Sequence, residues 1–269
     1  MNASARDAIL RLYSVSILKQ AKVREITSAL GETRGQACLD IGGDNGVVSL
    51  LLRERGGTWH SADLDARAVR AIQEAVGDNV YQIDGLSTPF ADASLDRVVI
   101  VDFLEHVHTD REFVRELARV LKPDGKLVVN VPHLKPRSVI NRVRHAAGLT
   151  DEKHGHVRPG YTLEGLRGVL APHFEIVGSR TYSRSFSEAI DAAMAIAYEW
   201  LGRRKGGRIG SAKGTVITSA DVQGEAASFR LLQFGYPILR GVAALDRLLF
   251  FQPGYKLIVQ ARPARKVAQ

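Results

Sequence analysis

The run Cys38-Leu39-Asp40-Ile41-Gly42-Gly43-Asp44-Asn45-Gly46 constrains the fold of this chain more than any other stretch. An apolar strand ends in an acid and breaks into a glycine-rich turn. Val47, Val48, Leu50, Leu51 and Leu52 then open an apolar helix. Strand, tight turn and helix in that order let backbone N–H groups approach a ligand closely, because glycine has no Cβ to hold the ligand off. Such a turn is common by itself, and its meaning comes from the residues spaced along the next hundred positions.

After a helix expected over residues 5–30, strand and helix patterns alternate. Strands are expected at 37–41, 58–62, 80–83, 97–101 and 126–131, with helices at 47–55, 66–76 and 110–121. Thr109 and Glu112 have capping-box spacing, and Lys122-Pro123-Asp124-Gly125 stops the third of these helices. Alternation of this kind predicts an α/β fold with a mostly parallel sheet covered on both faces. A loop is expected over 133–160, a helix over 162–170 and a strand over 174–182. A last strand is expected over 256–261. Between these two strands lies a helical insertion: a helix over 187–201 with Ser185 and Glu188 as its capping box, a Gly/Lys/Arg-rich linker over 202–214, and a helical region over 226–251 broken near Pro237. The domains so read are an N-terminal helix (1–30), a core (31–182), a basic helical insertion or lid (183–254), and a last strand with tail (255–269).

At 269 residues and 45% apolar composition the chain can bury a full core. No apolar run approaches the roughly 20 residues that span a bilayer. The N-terminal stretch has an interrupted amphipathic pattern without a signal-peptide core, so a cytoplasmic location is expected. Cys38 is the lone cysteine, reads as a small buried hydrophobe, and leaves no disulfide or cysteine-based zinc site to be built within one chain. The net charge of +8 is concentrated at the back: residues 182–269 carry 13 Lys and Arg against 6 Asp and Glu, whereas residues 1–181 carry 24 against 23. That asymmetry points to an anionic partner or to a basic surface kept for solubility.

Acids follow the expected strands. Asp63 closes the second, where a carboxylate can accept two ribose hydroxyls or cap the next helix; Asp84 follows the third, where it suits an adenine amino group, with Leu86 as an apolar wall and backbone N–H donor. Pro89-Phe90 and Asp96 lead into the fourth strand, which ends in Asp102-Phe103-Leu104-Glu105-His106-Val107. With these motifs in order, residues 35–180 resemble the class I S-adenosylmethionine-dependent methyltransferases of the type 11 group. The resemblance implies a Rossmann-like seven-stranded sheet whose last strand runs antiparallel, with S-adenosyl-L-methionine over the first strands. It implies that Asp40, Gly42, Gly43 and Gly46 line the methionine side, that Asp63 and Leu64 meet the ribose, that Asp84, Gly85 and Leu86 meet the adenine, and that Asp102 borders the methyl donor. Asp44 stands where the family carries a middle glycine. Its side chain would crowd the cofactor or face the cofactor's amino group.

A sulfonium is an activated methyl donor, so the protein has mainly to align the acceptor and exclude water. A hydroxyl acceptor gains from a general base. His106 is the first candidate, with a packed helix-terminus histidine as the other reading, and His156 is the second. His133, Arg158 and Tyr161 are expected to shape the acceptor site. His154 and His156, two apart on a loop, are weak evidence for a metal, and none is expected. O-methylation of a small-molecule, lipid-linked or glycan acceptor is the leading expectation. The competing ones are an RNA-directed methyltransferase and a cofactor-binding scaffold without turnover. Arginines interleaved with large apolar residues in 230–251 suit an interfacial helix on anionic lipid, hence a peripheral position at the inner face of a membrane. A lid or homodimer surface is the other reading. Nucleic acid is disfavoured, because no open aromatic platform accompanies the basic residues.

Overall fold

A computed structural model of the chain describes residues 3–136, 138–150, 155–204 and 226–264. Its centre is a seven-stranded sheet formed by β1 (Ala37–Ile41), β2 (Thr58–Asp63), β3 (Val80–Gln82), β4 (Leu95–Val101), β5 (Leu121–Pro132), β6 (Phe174–Tyr182) and β7 (Lys256–Pro263), in the order β3-β2-β1-β4-β5-β7-β6. The pairings from β3 across to β5 are parallel, and β7 runs antiparallel to both its neighbours, as expected for the last strand.

The order of strands reverses between β1 and β4, which makes the cleft above their carboxyl ends the natural ligand site of an open α/β sheet. The register brings those ends level: Ile41 pairs with Ala62 on one side and Ile100 on the other, and Asp63 pairs with Gln82. Backbone bonds carry the ladder past the strand ends, from Gly42 N–H to the Ala62 carbonyl (3.0 Å), from Ile83 N–H to Asp63 (3.0 Å) and from Asp102 N–H to Asn130 (2.8 Å). The tips that bear the chemistry are therefore held by main chain.

Side chains alternate across the sheet and build two cores. On one face Leu39, Ile41, Val98, Ile100, Leu127 and Val129 pack with residues of α5 (Asp110–Val120) and α7 (Leu163–Leu170). On the other, Cys38, Val99, Val101, Val128 and Ile258 pack with residues of α2 (Ile17–Leu30) and α3 (Val47–Arg53). Helix α4 (Ala66–Val76) completes the βα alternation, capped by Asp65, whose side chain accepts from Arg67 N–H at 2.8 Å.

Several local expectations differ from what forms. The N-terminal helix is two helices, α1 (Ala3–Ser14) and α2. Ser16 caps the second through Lys19 N–H, so the break falls where a short polar side chain competes for backbone bonds. Thr109 makes no side-chain cap on α5, so the box with Glu112 is absent. The loop over 133–160 contains α6 (Val139–Ala146), capped by Ser138. Helix α8 (Ser185–Arg204) starts under a different cap: the Asp246 carboxylate accepts from the N–H groups of Arg184, Phe186 and Ser187, while Glu188 turns to Lys135. Helix α9 (Ala226–Ala244) runs through Pro237 and gives way only at Leu245, to a 3-10 turn. The linker expected over 202–214 falls, from 205 onward, outside the described residues, as does His154.

Candidate functional site

The turn after β1 is built so tightly that its glycines are obligatory. Gly42 has φ of +89°, and a Cβ there would lie 2.1 Å from the Val101 carbonyl oxygen; at Gly46, with φ of +83°, it would lie 2.8 Å from the Ala75 Cβ. Gly43 is tight for another reason: a Cβ would meet Ser49 Oγ at 2.5 Å. Asp40 sits wholly buried beneath this turn. Its carboxylate accepts from Ser49 and Ser61 hydroxyls, with Arg53 3.6 Å away. Burial pushes its pKa up, against the pull of Arg53 and the two hydroxyls. Asp40 thus braces the turn from below.

Asp44, at the position where the resemblance implies a glycine, adopts the left-handed conformation, with φ of 51°. Its carboxylate swings to Lys19 of α2, 3.6 Å away. Next to it, Asn45 is buried, and its side-chain nitrogen has no hydrogen-bond partner among the described residues. An orphaned buried donor within a glycine-rich turn is what a cradle for an acceptor-bearing ligand requires.

Asp63 lies at the tip of β2, nearly buried, and accepts from Asp65 N–H at 3.0 Å; Leu64 packs against the core. Past β3, Asp84 is exposed and accepts from the N–H groups of Ser87 (2.9 Å) and Leu86 (2.8 Å), which hold its carboxyl below the usual range. The Leu86 N–H expected to serve a ligand is therefore spent on Asp84. The Leu86 side chain is exposed beside it, as a wall would be, and buried Gly85 packs toward Leu64 and Val107.

Beyond β4, Asp102 also takes a left-handed φ, 46°. It bonds Lys22 Nζ at 2.6 Å and Lys256 Nζ at 2.9 Å, and accepts from Asn130 Nδ2 at 3.1 Å. Burial would raise its pKa, but the two ammonium groups outweigh that and hold the carboxyl well below the ordinary range. These distant partners, from α2 and β7, carry no signal in local sequence.

The 3-10 turn Leu104–His106 comes next. Glu105, which sequence reasoning passed over, is fully buried, and neither carboxylate oxygen has a hydrogen-bond partner among the described residues. Burial first, and Asp102 second, push its pKa up to about 8. The His106 ring stands edge-on to His156, centroids 4.8 Å apart, so the two histidines singled out for catalysis do meet. His106 Nδ1 lies 3.0 Å from the Gly155 carbonyl, to which it can only donate.

Of the residues expected to meet an acceptor, Arg158 and Tyr161 turn inward instead. Arg158 bonds Asp110 (2.6 Å) and the Leu104 carbonyl (3.1 Å), and the Tyr161 hydroxyl shares Asp110 at 2.8 Å. They clamp the loop onto the 3-10 turn, because a half-buried guanidinium gains most from charge-assisted acceptors within the protein. His133 is half-buried and donates from Nδ1 to the Gly254 carbonyl at 2.9 Å, joining the end of β5 to the entry of β7.

Residues 39–129, from β1 through β5, match the family described as "Methyltransferase domain". The chain is 33% identical over 138 residues to a demethylmenaquinone methyltransferase of Mycolicibacterium paratuberculosis, covering 47% of this chain and 57% of that one. It is 35% identical over 100 residues to one of Corynebacterium efficiens, covering 35% and 41%. The chain thus spans about half the length of the curated relatives it matches. Among solved structures it shares its fold with the cyclopropane synthase MmaA2 of Mycobacterium tuberculosis (TM-score 0.57, 17% identity, 92% of this chain and 84% of that one). The YcgJ protein of Bacillus subtilis is similar too (TM-score 0.54, 18% identity, 92% and 99%). The matched residues carry the glycine-rich turn and the acidic strand tips, and over them the chain is similar to the class I S-adenosylmethionine-dependent methyltransferases.

Proposed function

We propose that the chain transfers the methyl group of S-adenosylmethionine to an oxygen of a small, lipid-linked acceptor. The observation that carries this reading is the alignment, at one sheet edge, of the Gly42–Gly46 turn with Asp63 and Asp84 at the adjoining tips and His106 across the switch point. The cofactor supplies an electrophilic methyl on a positively charged sulfur. Asp63 accepts the ribose hydroxyls, Asp84 and Leu86 border the adenine, and the Asn45 amide with the turn holds the amino-acid end. Asp44, neutralised by Lys19, stays clear of the cradle. His106, the best-placed base at the rim, takes the proton of the acceptor hydroxyl.

The names of the relatives favour a lipid-soluble acceptor over a glycan. The surface favours it too: Phe234, Ile238, Leu248, Phe250 and Phe251 are all more than two-thirds exposed (69–84% for four of them, 68% for Leu248), with exposed Arg240 and Arg247 among them. Such a face suits the interface of an anionic bilayer, although no helix among the described residues is long and apolar enough to cross one.

Labelled-methyl transfer into cell extract, followed by solvent partition, tests the reading. Label in the organic phase is the expected result. Label confined to nuclease-sensitive polymer, or no label at all, contradicts it.

A further inference from the structure

Glu105 is the one fully buried carboxylate among the described residues whose two oxygens both lack a hydrogen-bond partner. The nearby ammonium groups of Lys22 and Lys256 go to Asp102 instead. Among the described residues, ionised Glu105 has no counter-ion in contact, and protonated Glu105 has no acceptor for its O–H. Side chains of two other residues converge on it. A ligating atom from each of Glu105, His106 and His156 can be chosen so that all lie within 4.8 Å of one another.

We propose that Glu105, His106 and His156 bind a divalent transition-metal ion of the zinc type. Two imidazoles and one carboxylate are a donor set suited to that class and unsuited to magnesium or calcium, which take oxygen ligands. Bonds of about 2.0–2.2 Å would draw the donors together by roughly 1 Å, a side-chain adjustment. Donation from His106 Nδ1 to the Gly155 carbonyl leaves the lone pair on Nε2, the outer-sphere arrangement that metal-binding histidines use.

The loop that brings His156 is pinned on both sides of that residue. Val157 N–H donates to the Glu105 carbonyl at 2.9 Å, and Arg158 holds the Leu104 carbonyl and Asp110. This supplies the purpose of the Arg158–Tyr161 clamp: it sets His156 against Glu105 and His106 before any ion arrives. Three protein ligands leave positions open for solvent or for an acceptor hydroxyl; with the ion bound the Nε2 lone pair of His106 is a ligand, so the ion, in place of His106 as base, would favour loss of that hydroxyl's proton. The last role rests on the proposed methyl transfer; the binding of the ion does not.

The test is calorimetric titration of Zn2+ into the chelator-treated full chain and its Glu105→Gln and His156→Ala variants, with Co2+ absorption recorded on the unaltered chain. Expected is one ion per chain, bound at least about tenfold more weakly by each variant, and visible Co2+ bands of low-symmetry imidazole coordination. Absence of binding at about 100 µM Zn2+, or equal affinity in the variants, overturns the site. The Co2+ spectrum decides even where a variant fails to fold, since hexa-aqua-like bands on the unaltered chain overturn it as well. S-adenosylmethionine titrated into the same samples separates this result from the cofactor reading, which stands or falls without the ion.

Discussion

Three residues in uncommon positions show how this chain spends stability on its site. Gly42 brings the turn against the Val101 carbonyl, and Gly42→Ala is expected to lose roughly 2 kcal/mol or more of unfolding free energy, measured in urea, because a Cβ would overlap main chain that cannot move. Asp102, strained in the left-handed region, survives there by binding Lys22 and Lys256 together. Asp102→Asn leaves two lysines uncompensated and should cost roughly 3 kcal/mol. The sign of the pH effect comes from the lowered folded pKa. The carboxylate's contribution is complete above the unfolded value of about 4 and is lost as pH falls from there toward the folded value. The gap between wild type and Asp102→Asn should therefore be full at neutral pH and narrow below about pH 4 in urea unfolding. A gap that stays constant would mean the ion pairs carry none of it. Glu105 is the third case, an acid whose burial makes sense once two imidazoles stand beside it.

At the scale of elements, what was readable in the sequence was what depends on period and on neighbours in the chain. The five strands of the parallel half and helix α4 announce themselves by apolar runs, spacing and punctuation; four of the strands fall within two residues of expectation, whereas β5 starts at Leu121, pairing with Leu95, and takes in the Lys122–Gly125 segment expected as a turn. Caps were less legible, because a cap can come from anywhere. Ser185 and Glu188 have capping-box spacing, yet the α8 N-terminus takes Asp246 from the far end of the insertion, and Ser185 bonds Gln252. Asp246→Ala is expected to cost about 1–2 kcal/mol and to loosen the first turn of α8, seen as faster amide exchange at Phe186 and Ser187. Unchanged exchange would show that water caps that helix equally well. Pro237 misled for a different reason: a helix tolerates a proline when the lost bond falls on an exposed side, and Gln233, four residues back, is exposed. Of the site, the acids at strand tips were legible because topology makes them so. The Lys22–Asp102–Lys256 bridge and the meeting of Glu105 with His156 were not, since each joins residues far apart in the chain.

For the molecule as a whole, the balanced front and the basic back divide the labour. The carboxyl ends of the strands carry the residues proposed to hold the cofactor, and the segment between β6 and β7 carries the exposed large apolar side chains. Phe250→Ser with Phe251→Ser should lower co-sedimentation with vesicles containing anionic phosphatidylglycerol by about tenfold while far-ultraviolet dichroism stays unchanged. Equal sedimentation would move that face from the bilayer to another partner. Everything else depends on the strand tips gripping an adenosyl sulfonium, and the most direct measurement is calorimetric titration of S-adenosylmethionine into the folded chain and into Asp63→Ala. The expected result is saturable binding by the unaltered chain and at least about tenfold weaker binding by the variant, with matching unfolding curves. A folded chain that takes up no S-adenosylmethionine at about millimolar concentration, or an Asp63→Ala variant that binds it equally well, would contradict the assignment.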